Sequence, residues 1–144
     1  MTTEEKNTWA YGLIAVVGYA IYLVVVLDLA VDPITETPYV TPMLFTIGGG
    51  IVAGIVVGGV IHGTSAKDRA NGRDRDERDQ QIYRFGERIG GSFIVIGALA
   101  ALVLALIDAD SFWIANAVYL AFVLSAILSA TARIVGYRRG FQAW

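Results

Sequence analysis

Apolar positions do not alternate with polar ones along most of this chain; they gather into four long runs. Residues 9–30 carry a single charge, Asp28, and residues 43–61, 89–107 and 112–132 carry none. Each run approaches or exceeds the roughly 20 apolar residues that an α-helix needs to cross about 30 Å of hydrocarbon. A helix of a soluble bundle keeps one polar face, whereas 13–27 and 94–107 are apolar all round, the pattern of a helix whose solvent is lipid. Strands are excluded by length, because a transmembrane strand needs only about 9–11 residues. The pattern predicts an all-α, polytopic membrane protein. Its four transmembrane helices lie near 9–30, 43–62, 89–107 and 112–135, in one domain covering residues 1–144.

The intervening polar segments predict the connections. Thr2 and Glu5 have capping-box spacing, and acidic charge suits a helix N-terminus, so the first helix is expected to begin ahead of its apolar run. That run exceeds a signal-peptide core of roughly 7–15 residues and follows Glu4 and Glu5, so it is expected to be retained as a span. Pro33 and Pro38 place a short loop after it. Thr41-Pro42 reads as the cap and first position of the second helix, and Gly63-Thr64 as its end. Residues 63–88 form the one sizeable hydrophilic segment. Asp74 with Arg78 and Arg75 with Asp79 stand four apart, which supports an exposed helix continuous with the third span, from about 74 to 107. Residues 108–111 suffice only for a tight hairpin, with Asp110 or Ser111 capping the fourth helix.

The 56% hydrophobic content fits this layout. Charge then orients it. All eleven Lys and Arg residues fall before the first span, between the second and third, or at the end of the fourth. The two short loops hold only acids: Asp28, Asp32 and Glu36, then Asp108 and Asp110. The positive-inside rule places both termini and the 63–88 segment in the cytoplasm, with the third helix extended beyond the membrane. The expected location is the plasma membrane of a prokaryote. The absence of cysteine excludes disulfides, thiolate metal sites and cysteine catalysis.

Candidate chemistry is sparse. Gly50, Gly54 and Gly58 repeat every fourth residue, and Ala121 and Ser125 belong to a row of small residues on the fourth helix, with Ala117 and Ser129. Such rows let helix backbones approach closely within one subunit or across a homodimer, as a glycine zipper does. Asp28, His62 and Asn116 are candidate polar contacts of the bundle, His62 lacking evident partners for a metal or haem site. The cluster Asp74, Asp76, Glu77 and Asp79 fails the calcium-loop pattern, since Arg78 stands at its fifth position and no glycine at its sixth. No phosphate loop, nucleophile with its base, or paired metal ligands can be assembled. The expectation is a protein that is not an enzyme, uses no cofactor and does not bind nucleic acid directly. Proton antiport would call for an acid deep in a span, and the first span holds Tyr19 and Tyr22 but no acid before Asp28.

Asp76-Glu77-Arg78-Asp79 with Ile82, Gly86-Glu87-Arg88-Ile89-Gly90, residues 112–117 and Tyr137-Arg138-Arg139-Gly140-Phe141 resemble a group of proteins. These are the uncharacterised small four-helix membrane proteins of actinobacteria and archaea with an Asp-Glu-Arg motif before the third span. The resemblance covers about 74–141 and implies membership without an activity. It also implies a possible partner, because such proteins are encoded beside a short helix-turn-helix regulator.

Together these features predict a regulatory or partner-binding membrane protein, dimeric and in contact with lipid. It would act through its charged juxtamembrane helix, with Asp76, Glu77, Arg78, Ile82 and Phe85 as the partner-binding candidates. The alternative is a small transporter, or an accessory subunit of a transporter or other membrane complex. A deep polar cavity reaching Asp28 or Asn116 would favour that alternative.

Overall fold

In the computed structural model, which describes residues 3–69 and 77–139, the chain is all-α. Helix α1 is Thr3–Asp28, α2 is Val40–Arg69, α3 is Glu77–Leu106 and α4 is Ser111–Arg139, with one 3-10 turn at Ile34–Glu36. All four helices are long and apolar enough to cross a membrane. Large apolar side chains such as Val24, Leu27, Leu44, Phe45, Ile55, Leu106 and Ile107 point outward. An aqueous protein does not tolerate apolar exposure on this scale, so the medium of these faces is lipid and the chain is a small multi-pass membrane protein. Inside the spans, the Thr46, Ser92 and Thr131 hydroxyls donate to carbonyls of their own helices, which satisfies them without water.

The helix ends follow from local chemistry. At the end of α3, Ala109 N–H donates to Leu104 O at 2.9 Å and Asp108 N–H to Ala105 O at 3.2 Å. These are the two bonds of a Schellman cap, and Asp108 takes the left-handed position at φ 53° that glycine usually fills. Asp110 O then accepts from Trp113 N–H, starting α4.

Two expected boundaries move. Helix α2 begins two positions earlier than Thr41-Pro42 suggests: Met43 N–H donates to Tyr39 O, so Tyr39 is the cap and Pro42 sits inside the first turn, where its missing N–H is harmless. At the other end α2 passes through Gly63 and continues to Arg69. A mid-helix glycine costs about 1 kcal/mol relative to alanine, too little to stop a helix when no proline follows. The continuous α3 is present from Glu77; the expected start near Asp74, together with Asp76, lies outside the described residues. At 1.5 Å per residue, the 30 residues of α3 measure about 45 Å, more than the roughly 30 Å of hydrocarbon. Several turns of α3 therefore stand beyond the apolar layer.

The helices alternate in direction, so the N-terminus of α1, the end of α2, the start of α3 and the end of α4 share one end of the molecule. We call it the basic end; the two short acidic loops lie at the other. Helix α4 is the hub, packing along α3 on one side and α1 on the other, and the 3-10 turn rests on it. Helix α2 packs along α1. Helices α2 and α3 share no extended interface among the described residues, so the four form an open array with these two at its flanks. Burial follows: 33% of the span window of α4 is buried and 6% of that of α2, so α4 is structural core and α2 is mostly lipid-facing.

Candidate functional site

Helices α3 and α4 approach closely along a seam. A Cβ added to Gly97 would overlap the Ala121 side chain, and one at Gly90 would lie 2.9 Å from both Ser125 O and Ser125 Oγ. At Gly86 it would meet the Arg133 side chain and Ser129 O. The row Ala117, Ala121, Ser125, Ser129 on α4 therefore mates with Gly86, Gly90 and Gly97 on α3, backbone against backbone. Sequence reasoning finds the α4 row and misses its partner, since Gly86, Gly90 and Gly97 are not among the residues it names for helix packing. The signal was present: Gly86 and Gly90 stand four apart, and Gly97 falls on the same helical face.

The row Gly50, Gly54 and Gly58 faces α1 of its own chain. Tyr11 lies over Gly54 and Gly58, and Ile14 over Gly50; the Tyr11 hydroxyl donates to Gly54 O at 3.3 Å. The row is thus occupied within the subunit. Packing within one subunit, one of the two uses expected of this row, is therefore present.

Toward the acidic end, α1, α2 and α4 meet in a tyrosine cluster. Tyr22 is fully buried at 0% exposure, and its ring packs edge-on against Tyr119 at 4.9 Å between centroids, with Tyr19 stacked beside it. The Tyr22 hydroxyl donates to Asn116 Oδ1 at 2.6 Å, and Asn116 Nδ2 donates to Phe112 O at 2.8 Å. The Tyr119 hydroxyl donates to Thr46 Oγ1 at 3.0 Å. Asn116 is thereby a polar contact of the bundle, with its amide committed at both ends. Asn116→Ala removes the acceptor of a buried hydroxyl and should lower stability by about 1–3 kcal/mol. Tyr22→Phe in the Asn116→Ala background should recover part of that loss in thermal unfolding in detergent.

Asp28 is exposed at the end of α1 and lies outside this cluster. His62 is on α2, and its side chain is outside the described set, as is that of Arg78. No group of His, Asp and Glu among the described residues could hold a metal ion.

At the basic end, polar chemistry concentrates around Arg133. Its guanidinium lies over the Tyr83 ring, 4.1 Å from the centroid, and donates to Glu87 Oε1. Beyond it, Ile82 sits against Gly136 with 0% of its surface exposed. Ile82 was expected to be offered to a partner; instead it is an internal contact between α3 and α4, because Gly136 has no side chain to hold it off. Phe85 remains exposed, as do Glu77, Tyr83, Arg84 and Arg88. The α1–α4 side is closed by Glu5 with Arg138 at 3.8 Å and by Arg138 over the Trp9 ring.

Two grooves among the described residues bear on the site. One, of about 480 Å³, is apolar and lies between α1 and α2 along Leu13, Val17, Ile21, Phe45 and Gly49. The other, of about 510 Å³, runs down the basic end between α1, α3 and α4 and includes Glu87 and Arg133. Neither is lined by Asp28 or Asn116. Comparison with family models, curated proteins and solved structures gave no match, so the site stands on its own geometry.

Proposed function

We propose that the protein is a membrane-anchored docking element that presents the protruding part of α3 to a cytosolic protein from the plasma membrane of a prokaryote. The observation that carries this reading is the clamping of that segment. Ile82 on Gly136 and Arg133 with Glu87 fix the start of α3 to α4, while Arg84, Phe85 and Arg88 remain exposed beside it. A helix held this way loses little conformational freedom on binding, which favours recognition. The one-sided distribution of Lys and Arg supports a cytoplasmic position for this end. A short helix-turn-helix regulator is the partner class that the resemblance of 74–141 implies, and sequestration or signalling is the mechanism it suggests.

The test is the combined replacement Arg84→Ala, Phe85→Ala and Arg88→Ala. These side chains are exposed, so insertion and oligomer size should be retained. Cross-linking and mass spectrometry after mild extraction should show at least a tenfold loss of one specific cytosolic partner. Partner recovery equal to wild type would remove α3 as the docking element.

A further inference from the structure

The groove at the basic end has a chemical gradient along its length. Glu87, Arg133 and Tyr83 line its outer part; Ser125, Ser129, Gly90 and Gly91 follow, and Ile94 and Phe122 lie deepest. From Arg133 to Phe122 along α4 is about 16 Å at 1.5 Å per residue, so the groove descends from headgroup level well into the hydrocarbon. Its volume of about 510 Å³ is within the roughly 300–1,000 Å³ of small-molecule sites. In a bilayer such a groove is filled by whatever molecule of that leaflet fits it.

The polar end is a built arrangement. Gly86 lets the Arg133 side chain lie directly against α3, and Tyr83 covers its face. The Nε of Arg133 is sealed from solvent and has no hydrogen-bond partner. Glu87 is bonded to Arg133 through Oε1, and its side chain is 56% exposed. A cation and an anion thus stand side by side at the mouth of the slot, and the exposed Glu87 carboxylate keeps lone pairs to offer. A purely anionic headgroup would meet Glu87 unfavourably and a purely cationic one would meet Arg133.

We propose that this groove binds one phospholipid with a zwitterionic phosphate-amine headgroup, its phosphate on Arg133, its ammonium on Glu87 and an acyl chain running toward Ile94 and Phe122. Arginine suits a phosphate through its forked donors, and a primary ammonium offers a carboxylate three donors. The site shares the Arg133–Glu87 pair with the clamp on α3 but goes beyond the protein-docking role, since its ligand occupies the groove between α1, α3 and α4 and not the exposed Arg84, Phe85 and Arg88.

The experiment compares the thermal unfolding of delipidated protein in detergent with added phosphatidylethanolamine, phosphatidylglycerol, free phosphoethanolamine or inorganic phosphate. Native mass spectrometry counts the lipids retained. The expected result is one retained phosphatidylethanolamine and a melting temperature raised by several degrees, with a smaller shift from phosphatidylglycerol and none from the two water-soluble probes. Glu87→Gln should move the preference toward phosphatidylglycerol, and Arg133→Gln should remove the phosphatidylethanolamine shift. Gly91 lines the groove and has nothing within 4 Å of an added Cβ, so Gly91→Leu should fill the slot and displace the lipid without entering the seam. Equal shifts from both lipids would overturn the headgroup assignment. A shift from inorganic phosphate alone would make the site one for a free anion. A folded Gly91→Leu protein still stabilised by phosphatidylethanolamine would place the lipid elsewhere.

Discussion

Gly97→Leu is expected to unfold the α3–α4 seam, with a loss of at least about 3 kcal/mol, the upper end of the usual cost of overpacking. The added side chain would have to occupy space already held by Ala121, and the atoms behind it are the Ala121 backbone and Ala117 O, which cannot swing aside. Among the described residues α3 has an extended interface with α4 alone, so loss of the seam would leave α3 without a second extended contact to hold it in place. Gly54→Leu should be milder, because the obstacle there is the Tyr11 ring on an exposed side chain that can rotate away. Gly48→Leu, with nothing within 4 Å of the added atom, should stay within about 0.5 kcal/mol of wild type. Denaturant titration of the three variants in one detergent checks the order. Equal stability of the Gly97 and Gly48 variants would mean that α3 and α4 do not meet along this face.

The same seam shows how far the sequence carries. Span number, the tight α3–α4 connection and the continuity of α3 follow from uncharged runs and from 108–111 being too short for anything but a hairpin. Each is a local property, and local properties are legible in one chain. The mating of Gly86, Gly90 and Gly97 with the α4 row is a property of two helices in register and is invisible until they are laid antiparallel. Once the hairpin is granted, Glu87 and Arg133 lie at nearly the same distance from it, as do Ile82 and Gly136. Their pairing was thus recoverable from sequence plus topology.

Other features were less accessible. Gly63 reads as a helix stop because glycine is poor in helices, yet its cost of about 1 kcal/mol is small against the rest of a helix that runs to Arg69. Gly50, Gly54 and Gly58 announced close packing but could not name the partner, since a tyrosine of the same chain and a second subunit present the same requirement. The tyrosine cluster gave no periodic signal. Tyr19, Tyr22 and Tyr119 come together only because α1 packs on α4. In the sequence, Tyr19 and Tyr22 stand out only because no acid precedes Asp28 in their span. Asn116 was recognised as a polar residue one turn inside α4, where an amide in lipid must find partners, but Tyr22 could not be named as one of them.

The central claim is a protein that crosses the membrane four times with its basic end inside, and cysteine accessibility tests it directly because the native chain has no cysteine. Single cysteines at Thr35 and Ala109, in the two loops of the acidic end, should react with a membrane-impermeant thiol reagent in intact cells. Cysteines at Asn71 and Gln142 should react only after the cells are permeabilised. The asymmetry of Lys and Arg placement makes the expected pattern all or none. Labelling of Asn71 or Gln142 from outside, with Thr35 and Ala109 protected, would invert the orientation and remove α3 from the cytosol; labelling of all four sites, or of none, in intact cells would contradict the four-span topology itself.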